Sequence, residues 1–261
     1  MQVVTAKKEI PKMPSPASKG TEPKTCLIIT RPEPDASAFA AMAEKSDLRA
    51  IKSPAMTIIE NNIAPDLTDI SALAFTSANG VRAFANKSEH RTLPVFAIGE
   101  ATAQTAINLG FSHVEMADGD GASLTGLIVK NHRGGQVLHI AGKHRAGELV
   151  TMLQQKGLKA RRDVLYEAMP CPALTPYAVE TLQNQISRDQ RQNCWVALFS
   201  PRSAVRFIEQ ISAAGLEPAL KHVSAACLSL AVAEKLGDGH FNQIGVAKRR
   251  SAKALLAVVQ H

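Results

Sequence analysis

The sequence predicts an α/β protein of two similar lobes, each a parallel sheet flanked by helices, joined by a two-stranded hinge. Strand-like apolar runs alternate with helix-like segments from residue 26 to the end, which is the pattern of parallel sheets. Two stretches are near copies: 74–84 reads AFTSANGVRAF and 198–208 reads LFSPRSAVRFI. Stacked without gaps, they pair Phe75 with Phe199, Thr76 with Ser200, Asn79 with Ser203 and Arg82 with Arg206. So wide a separation between copies indicates a duplicated lobe rather than a solenoid.

The elements follow in order along the chain. The apolar runs predict strands near Cys26–Thr30, Ala50–Ser53, Leu73–Thr76, Val95–Ile98, Val114–Met116, Val137–Ile140, Lys159–Leu165, Cys194–Phe199, Val223–Ala226 and Gln243–Val246, with helices in the gaps. Asp35, Ser123 and Ser251 each precede a helix-like segment, and we expect them to accept the free N–H groups of its first turn.

Prolines suggest where the lobes meet. Pro54 follows one predicted strand, and Pro170 and Pro172 follow another, so both points favour extended crossings. We therefore expect residues 53–168 to form one lobe, inserted into a second lobe made of 26–52 and 169–261. Residues 1–25 are rich in Lys, Pro and Ser, contain no Arg and have no apolar core, which predicts a disordered tail without a targeting signal.

Composition excludes several classes of protein. Apolar residues make up 45% of the chain and charged residues 20%, and no apolar run is long enough for a membrane span. The four cysteines lack metal-ligand spacing and favour free thiols in a reducing cytoplasm, with no metal site. The formal charge of +7 suggests nucleic-acid binding, but aromatics are only 4%, and a polyanionic small molecule fits the charge at least as well.

Hydroxyl-bearing turns are the first group of candidate site residues. Ser77 and Asn79 lie between a predicted strand and helix, and Ser200, Arg202 and Ser203 occupy the copy of that turn. Thr102 and Ser229 lie at two further strand-to-helix turns. Ligands of parallel sheets bind at the carboxyl ends of strands, where helix N-termini attract anions. Simple helix capping explains the same residues, so this alternative stays open.

Cations and one phenol complete the set. Arg31 ends the first strand with Pro32 behind it, and its guanidinium could fork onto a ligand carboxylate or form a surface salt bridge. Arg145 lies in a turn with two other cationic residues. Tyr166 ends the strand before the proline-rich crossing, where it could reach the cleft or simply pack at an interface.

Motifs for nucleotides and for nucleophilic hydrolysis are absent. The sequence contains no GxGxxG, no GxxxxGK[ST] and no GxSxG. The candidate site is made of hydroxyls, backbone amides and cations, which suits binding an anionic substrate and assisting a leaving group.

The ordered motifs resemble the uroporphyrinogen-III synthase family over about 26–261. They are Thr30-Arg31-Pro32, Phe75–Val81, Ala97–Ala103, the Gly142 to Arg145 turn, Leu165-Tyr166-Glu167, Phe199–Ala204 and the helix start at Ser229. The resemblance implies two α/β lobes with the active site in the cleft, no cofactor, no metal and a monomer. It implies conversion of hydroxymethylbilane, a polyanionic linear tetrapyrrole, to uroporphyrinogen III, with loss of water and inversion of ring D through a spiro intermediate.

Roles of individual residues also come from the resemblance. Tyr166 would assist departure of the substrate hydroxyl as a proton or hydrogen-bond donor. Substrate carboxylates would be held by the following residues and their neighbouring amides: Arg31, Ser77, Asn79, Thr102, Arg145, Ser200, Arg202, Ser203 and Ser229.

Two other functions fit part of the pattern. A non-enzymatic two-lobed protein that closes on an anionic ligand would show the same duplication and hinge. A regulatory domain resembling sugar-phosphate isomerases would show the Ser/Thr turns, but it would need a base beside them, and Glu100 is the only obvious candidate.

Overall fold

The structure is a computed structural model that describes residues 25–144, 148–187, 192–237 and 240–260. Its strands are β1 (Thr25–Ile29), β2 (Leu48–Lys52), β3 (Met56–Glu60), β4 (Ile70–Phe75), β5 (Val95–Ile98), β6 (Val114–Ala117), β7 (Gln136–Gly142), β8 (Lys159–Pro170), β9 (Asn193–Leu198), β10 (Val223–Cys227) and β11 (Ile244–Val246). Its helices are α1 (Asp35–Glu44), α2 (Ala78–Ala85), α3 (Glu100–Asn108), α4 (Gly121–Asn131), α5 (Leu149–Gln155), α6 (Pro176–Ile186), α7 (Pro201–Ala213), α8 (Glu217–Leu220), α9 (Leu230–Ala233) and α10 (Ala252–Val259).

One sheet has five strands in the order β11-β10-β9-β1-β2, and every pairing in it is parallel. The first strand, β1, lies next to the edge strand β2, and the later strands β9, β10 and β11 add on the other side of β1. This is a doubly wound order, in which the strand order reverses between β1 and β9. We call this sheet with its helices the first lobe.

The other sheet has six strands in the order β3-β8-β7-β4-β5-β6. Without the antiparallel edge strand β3, its five parallel strands repeat the order of the first lobe, with β7 and β8 in the places of β1 and β2. The order reverses between β7 and β4. We call this sheet with its helices the second lobe, and the predicted α/β class with two sheets is confirmed.

Helices cover both faces of each sheet, as parallel sheets require. In the first lobe, Val196 and Phe207 belong to the apolar cluster on one face, and Leu27 and Phe39 to that on the other. In the second lobe, the clusters that contain Leu138 and Val137 lie on opposite faces in the same way. Alternate side chains of one buried strand thus pack into two different apolar clusters, one on each face of the sheet.

Two segments connect the lobes, 53–55 and 171–175. They contact each other, since the Cys171 amide donates to the Ala55 carbonyl at 3.0 Å. The Thr175 amide donates to the hydroxyl of the buried Ser53 at 3.1 Å. The predicted hinge and the predicted lobe boundaries of 53–168 against 26–52 with 169–261 stay predictions. The predicted tail falls outside the described residues, except for Thr25, which begins β1.

Three local predictions were wrong. Strand β3 was not predicted, because Pro54 before it suggested an extended connection between the lobes without a strand. Asp35 does not cap α1, since its carboxylate binds two arginines instead. Asp120, rather than Ser123, caps α4, whereas Ser251 caps α10 as predicted.

The gapless stacking of the two copies is also wrong, by one residue. Strand β4 ends at Phe75 and Ser77 caps α2, while β9 ends at Leu198 and Ser200 caps α7. Spatially, Ser77 therefore corresponds to Ser200. The buried residues of the two helices agree with this shift, because Gly80, Val81 and Phe84 then match Ser203, Ala204 and Phe207.

Candidate active site

The candidate residues gather where the strand order reverses. In the first lobe, Arg31 follows β1 and Ser200 follows its neighbour β9. In the second lobe, Gly142 ends β7 and Ser77 follows its neighbour β4. Reversal points leave a crevice at the carboxyl ends of the strands, since the helices on either side leave in opposite directions. The duplicated fold therefore supplies two such crevices.

Tyr166 lies at the crevice of the second lobe. Its side chain lies close enough to Ser77 for that hydroxyl to influence the phenol, and it packs partly buried against the core below. Burial, the largest influence, raises the pKa of the phenol above its usual value, although Ser77 and Arg162 act in the opposite direction. The phenol is therefore neutral near pH 7 and is a hydrogen-bond donor. The structure thus brings together two residues that the sequence analysis selected separately.

The ring of Tyr166 lies against bare backbone at Gly142. A Cβ atom on this glycine would lie 2.9 Å from Cε2 and Cζ of the ring and 3.2 Å from its oxygen. A β-bulge between Ala141 and Gly142 places the glycine opposite Tyr166, and the Lys143 amide donates to the Tyr166 carbonyl at 2.9 Å. The glycine of this turn thus makes room for the phenol.

Asn79 and Arg31 are brought together through two residues that the sequence analysis did not select. Arg82 donates to Asn79 Oδ1 at 2.8 Å and to the carboxylate of Asp35. The other oxygen of Asp35 accepts from Arg31 Nη2 at 2.8 Å. One carboxylate therefore joins an arginine of each lobe.

Arg31 is held by two contacts. Its guanidinium carbon lies 4.6 Å from the centre of the Phe199 ring, which adds a cation–π contact to the Asp35 pair. Burial, more than the opposing effect of Asp35, lowers the pKa of Arg31 from its usual value. A guanidinium still remains charged at physiological pH.

The hydroxyls of the first-lobe turn are used in a capping box. Ser200 Oγ accepts from the Ser203 amide at 3.1 Å, and Ser203 Oγ accepts from the Ser200 amide at 3.1 Å. Ser203 is buried, and Arg202 donates to the Ala168 carbonyl of β8 at 2.8 Å. These serines therefore cap the helix, which is the alternative that the sequence left open. The turn offers a ligand chiefly the backbone N–H groups of the helix N-terminus.

The cationic turn after β7 is tied to β8. Lys143 and His144 both pair with Glu167, at 3.1 and 3.4 Å. Arg162 donates to the carbonyls of Gly142 and Lys143. Arg145 lies outside the described residues.

Among the described residues, no side-chain hydrogen bond or ion pair joins Thr102 or Ser229 to the other candidates. Thr102 is buried in the first turn of α3, and Ser229 precedes the short helix α9 without capping it. Both follow strands that lie beside β4 and β9, which puts them at the same edge of each sheet.

His139 is a buried residue beneath the site that the sequence analysis missed. Its Nε2 lies 3.3 Å from Thr76 Oγ1 in the turn before α2. Burial, with a smaller effect from Arg162, lowers its pKa to about 4, so the imidazole is neutral. A single histidine within an apolar strand gives no signal of this role, because the partner comes from a distant strand.

Among the residues that the structure describes, no three His, Cys, Asp or Glu side chains group so as to hold a metal ion. Within the same ranges, no helix combines the length and apolarity needed to span a membrane. The four cysteines are free, and Cys26, Cys194 and Cys227 are buried.

Comparison with known proteins identifies the family. No curated protein sequence matches the chain significantly. The fold is similar to that of uroporphyrinogen-III synthetase from Helicobacter pylori, with 17% identity, a TM-score of 0.59, and coverage of 90% of this chain and 97% of that one. It is also similar to a mutant uroporphyrinogen III synthase from Thermus thermophilus, with 17% identity, a TM-score of 0.51, and coverage of 90% and 96%. The family model of uroporphyrinogen-III synthase HemD matches residues 37–257, and the chain therefore belongs to the uroporphyrinogen-III synthase family.

Proposed function

We propose that this chain is a uroporphyrinogen-III synthase that uses Tyr166 to assist departure of the substrate hydroxyl. The observation that carries the proposal is the neutral phenol of Tyr166 in a family member, packed against Gly142 at the end of β7 and close to Ser77 at the start of α2. The reaction cyclises hydroxymethylbilane with loss of water, which makes the enzyme a carbon–oxygen lyase. We propose that it acts as a cytoplasmic monomer, without cofactor, metal or nucleic acid.

Substrate binding rests on the anion-attracting groups of both lobes. The helices α2 and α7 begin at Ser77 and Ser200, and their N-termini favour carboxylates. Arg31, which follows β1 next to β9, adds a fixed positive charge near the start of α7. Because Ser200 and Ser203 are committed to capping each other, we propose that the turn amides bind the substrate here, and the hydroxyls hold those amides in place.

Departure of the hydroxyl is the step at which Tyr166 acts. As the C–O bond of the hydroxymethyl group breaks, the leaving oxygen gains negative charge, accepts a proton and departs as water. The electron pair of the pyrrole nitrogen replaces the broken bond, and the N–H proton is then lost to give the azafulvene, which balances the proton that the leaving oxygen accepts. A phenol with a raised pKa is a weak acid, so it stabilises the leaving oxygen mainly by donating a hydrogen bond.

Ring inversion then depends on geometry more than on acid–base strength. The substituted carbon of ring D attacks the azafulvene and gives a spiro intermediate, which fragments and recloses. The azafulvene also closes unaided at the unsubstituted carbon and gives the type I isomer. Holding the reacting carbons in one orientation is therefore the main contribution of the cleft.

A non-enzymatic binding protein is the alternative function. It requires neither a phenol at the crevice nor membership of a synthase family, and it is not favoured. The isomerase-like alternative is weaker still, because the side chain of its candidate base, Glu100, is at the exposed start of α3.

Isomer analysis tests the proposal. Hydroxymethylbilane is generated in place and mixed with the protein, and the products are oxidised and separated into type I and type III porphyrins. Predominant type III is expected. Type I alone, at the spontaneous rate and with folded protein, would overturn the synthase assignment and favour the binding protein.

A further inference from the structure

An ion pair crosses from one lobe to the other beside the candidate site. Arg82 belongs to α2, which packs on the six-stranded sheet, and Asp35 belongs to α1, which packs on the five-stranded sheet. The side chains are 21% and 17% exposed, so this pair is more protected than the surface pair of Lys52 and Glu33 at 46% and 48%. Protection from water strengthens a charged hydrogen bond and weakens its screening by salt.

Both partners also hold residues of the candidate site. Asp35 accepts from Arg31, and Arg82 donates to Asn79, so the order across the cleft is Arg31, Asp35, Arg82, Asn79. Two arginines share one carboxylate, which leaves one net positive charge in the cluster. A change in the distance between the lobes would therefore alter the placement of Arg31 and of the turn at Asn79 together.

A second contact joins the lobes at the sheet edges farthest from the crossings. Arg250 follows the edge strand β11 and donates to the carbonyl of Gly119, which follows the edge strand β6, at 3.2 Å. The crossing segments lie at the opposite edges, beside β2 and β3. The lobes are thus held together in the middle and at the far edge as well as where the chain connects them.

We propose that Asp35 and Arg82 are positioning residues that latch the two lobes at the separation required for ring inversion. The latch fixes Arg31 against the Asn79 turn, and the contact of Arg250 with Gly119 supports it at the far edge. Its effect on product rests on the proposed function, while its effect on lobe separation does not. When the latch opens, the reactive end of the substrate is held less firmly, and more of the azafulvene closes to the type I isomer.

The test compares four variants with the wild type: Asp35→Asn, Arg82→Gln, Arg82→Lys and the control Asp163→Asn. Asp163 pairs with Arg161 at 3.1 Å inside the second lobe and is 21% exposed, so it matches Asp35 in chemistry and burial without crossing the cleft. Lobe separation is measured as the radius of gyration by small-angle X-ray scattering. Product is measured as the type III fraction with enzyme in excess, after subtraction of the spontaneous reaction.

Asp35→Asn and Arg82→Gln are expected to increase the radius of gyration and to lower type III turnover about tenfold, with a larger share of type I. Arg82→Lys keeps the positive charge but loses the forked contact, so its radius of gyration and type III turnover should lie between those of the wild type and Arg82→Gln. Asp163→Asn should match the wild type. Because the pair is protected from water, raising sodium chloride from roughly 0.05 to 0.5 M should expand the wild type less than either substitution does.

Unchanged scattering and an unchanged type III fraction in both Asp35→Asn and Arg82→Gln would overturn the latch. Folding of each variant is checked by circular dichroism, and if one of the two does not fold, the other and Arg82→Lys decide. Absence of type III product from the wild type would instead remove the proposed function, and scattering would still test the latch.

Discussion

Replacing Gly142 by alanine tests the assignment of Tyr166 through a residue that the substrate need not touch. The new Cβ would lie 2.9 Å from two ring carbons of Tyr166, whereas carbon atoms in contact usually lie about 3.5–4.0 Å apart. The ring must therefore retreat by at least ~0.6 Å. The backbone of Gly142 does not have the positive φ that disfavours alanine, so steric crowding is the main cost.

The size of the effect follows from this displacement. Overpacking of this kind costs about 1–3 kcal/mol of unfolding free energy. A misplacement of about 1 Å lowers turnover by about 10²-fold, so a shift of ~0.6 Å predicts a loss of roughly tenfold. Type III turnover and urea unfolding measure the two effects separately.

A double-mutant cycle decides whether the loss passes through the phenol. In the Tyr166→Phe background the ring still meets the new methyl group, so the stability cost should persist while the effect on turnover disappears. Gly126→Ala is the matched control, because its Cβ meets nothing within 4 Å in the described residues and alanine is the better helix former. Equal turnover losses in both backgrounds, or no loss in Gly142→Ala, would refute the reasoning.

Three further predictions concern single residues. Tyr166→Phe should lower turnover without abolishing it or unfolding the protein, and unchanged turnover would remove the donor role. Ser200→Ala should lower the unfolding free energy by about 1 kcal/mol, because the Ser203 amide loses its acceptor, while KM changes little if the amides bind the substrate. His139 has a folded-state pKa of about 4, below its usual 6.5. Its contribution of ~3 kcal/mol to the unfolding free energy is therefore complete above pH 6.5 and is lost as the pH falls toward 4. His139→Gln should make the melting temperature depend less on pH across that range, whereas substitution of the exposed His90 by Gln should not. Equal slopes of melting temperature against pH in the two variants would contradict the burial argument.

Most of the fold was readable from the sequence because buried parallel strands are continuous apolar runs. Strand β3 was missed because its burial alternates weakly along an edge, and edge strands carry little apolar signal. The register of the repeat was misjudged because Phe75 and Phe199 look equivalent in sequence. In the structure Phe75 is the last residue of its strand and lies in the core, whereas Phe199 follows its strand and lies under Arg31.

The candidate site was less predictable than the fold. Tyr166 and Ser77 could be selected because each follows an apolar run in the sequence. The predicted strand end at Leu165 was wrong, however, because β8 continues past Tyr166 to Pro170, where it pairs with the unpredicted strand β3. Asp35 could not, because its partners Arg31 and Arg82 come from different lobes, and nothing in a helix-starting aspartate distinguishes a cap from a bridge. Likewise Arg162 acts through carbonyls of the turn after β7, and backbone acceptors have no sequence signature.

The one-residue shift also explains why the two copies have different duties. Because Ser77 corresponds to Ser200, the position of Arg82 corresponds to Val205, which is exposed, and Arg206 corresponds to Ala83. Arg206 donates to the carbonyls of Cys171 and Pro172 in one of the crossing segments. Arg82 instead reaches the carboxylate of Asp35 in the other lobe. The two arginines, one residue apart in structural register, thus point to different partners. One binds the connection between the lobes and the other binds the facing lobe, so the duplicated turns are equivalent in fold but not in how they hold the cleft together.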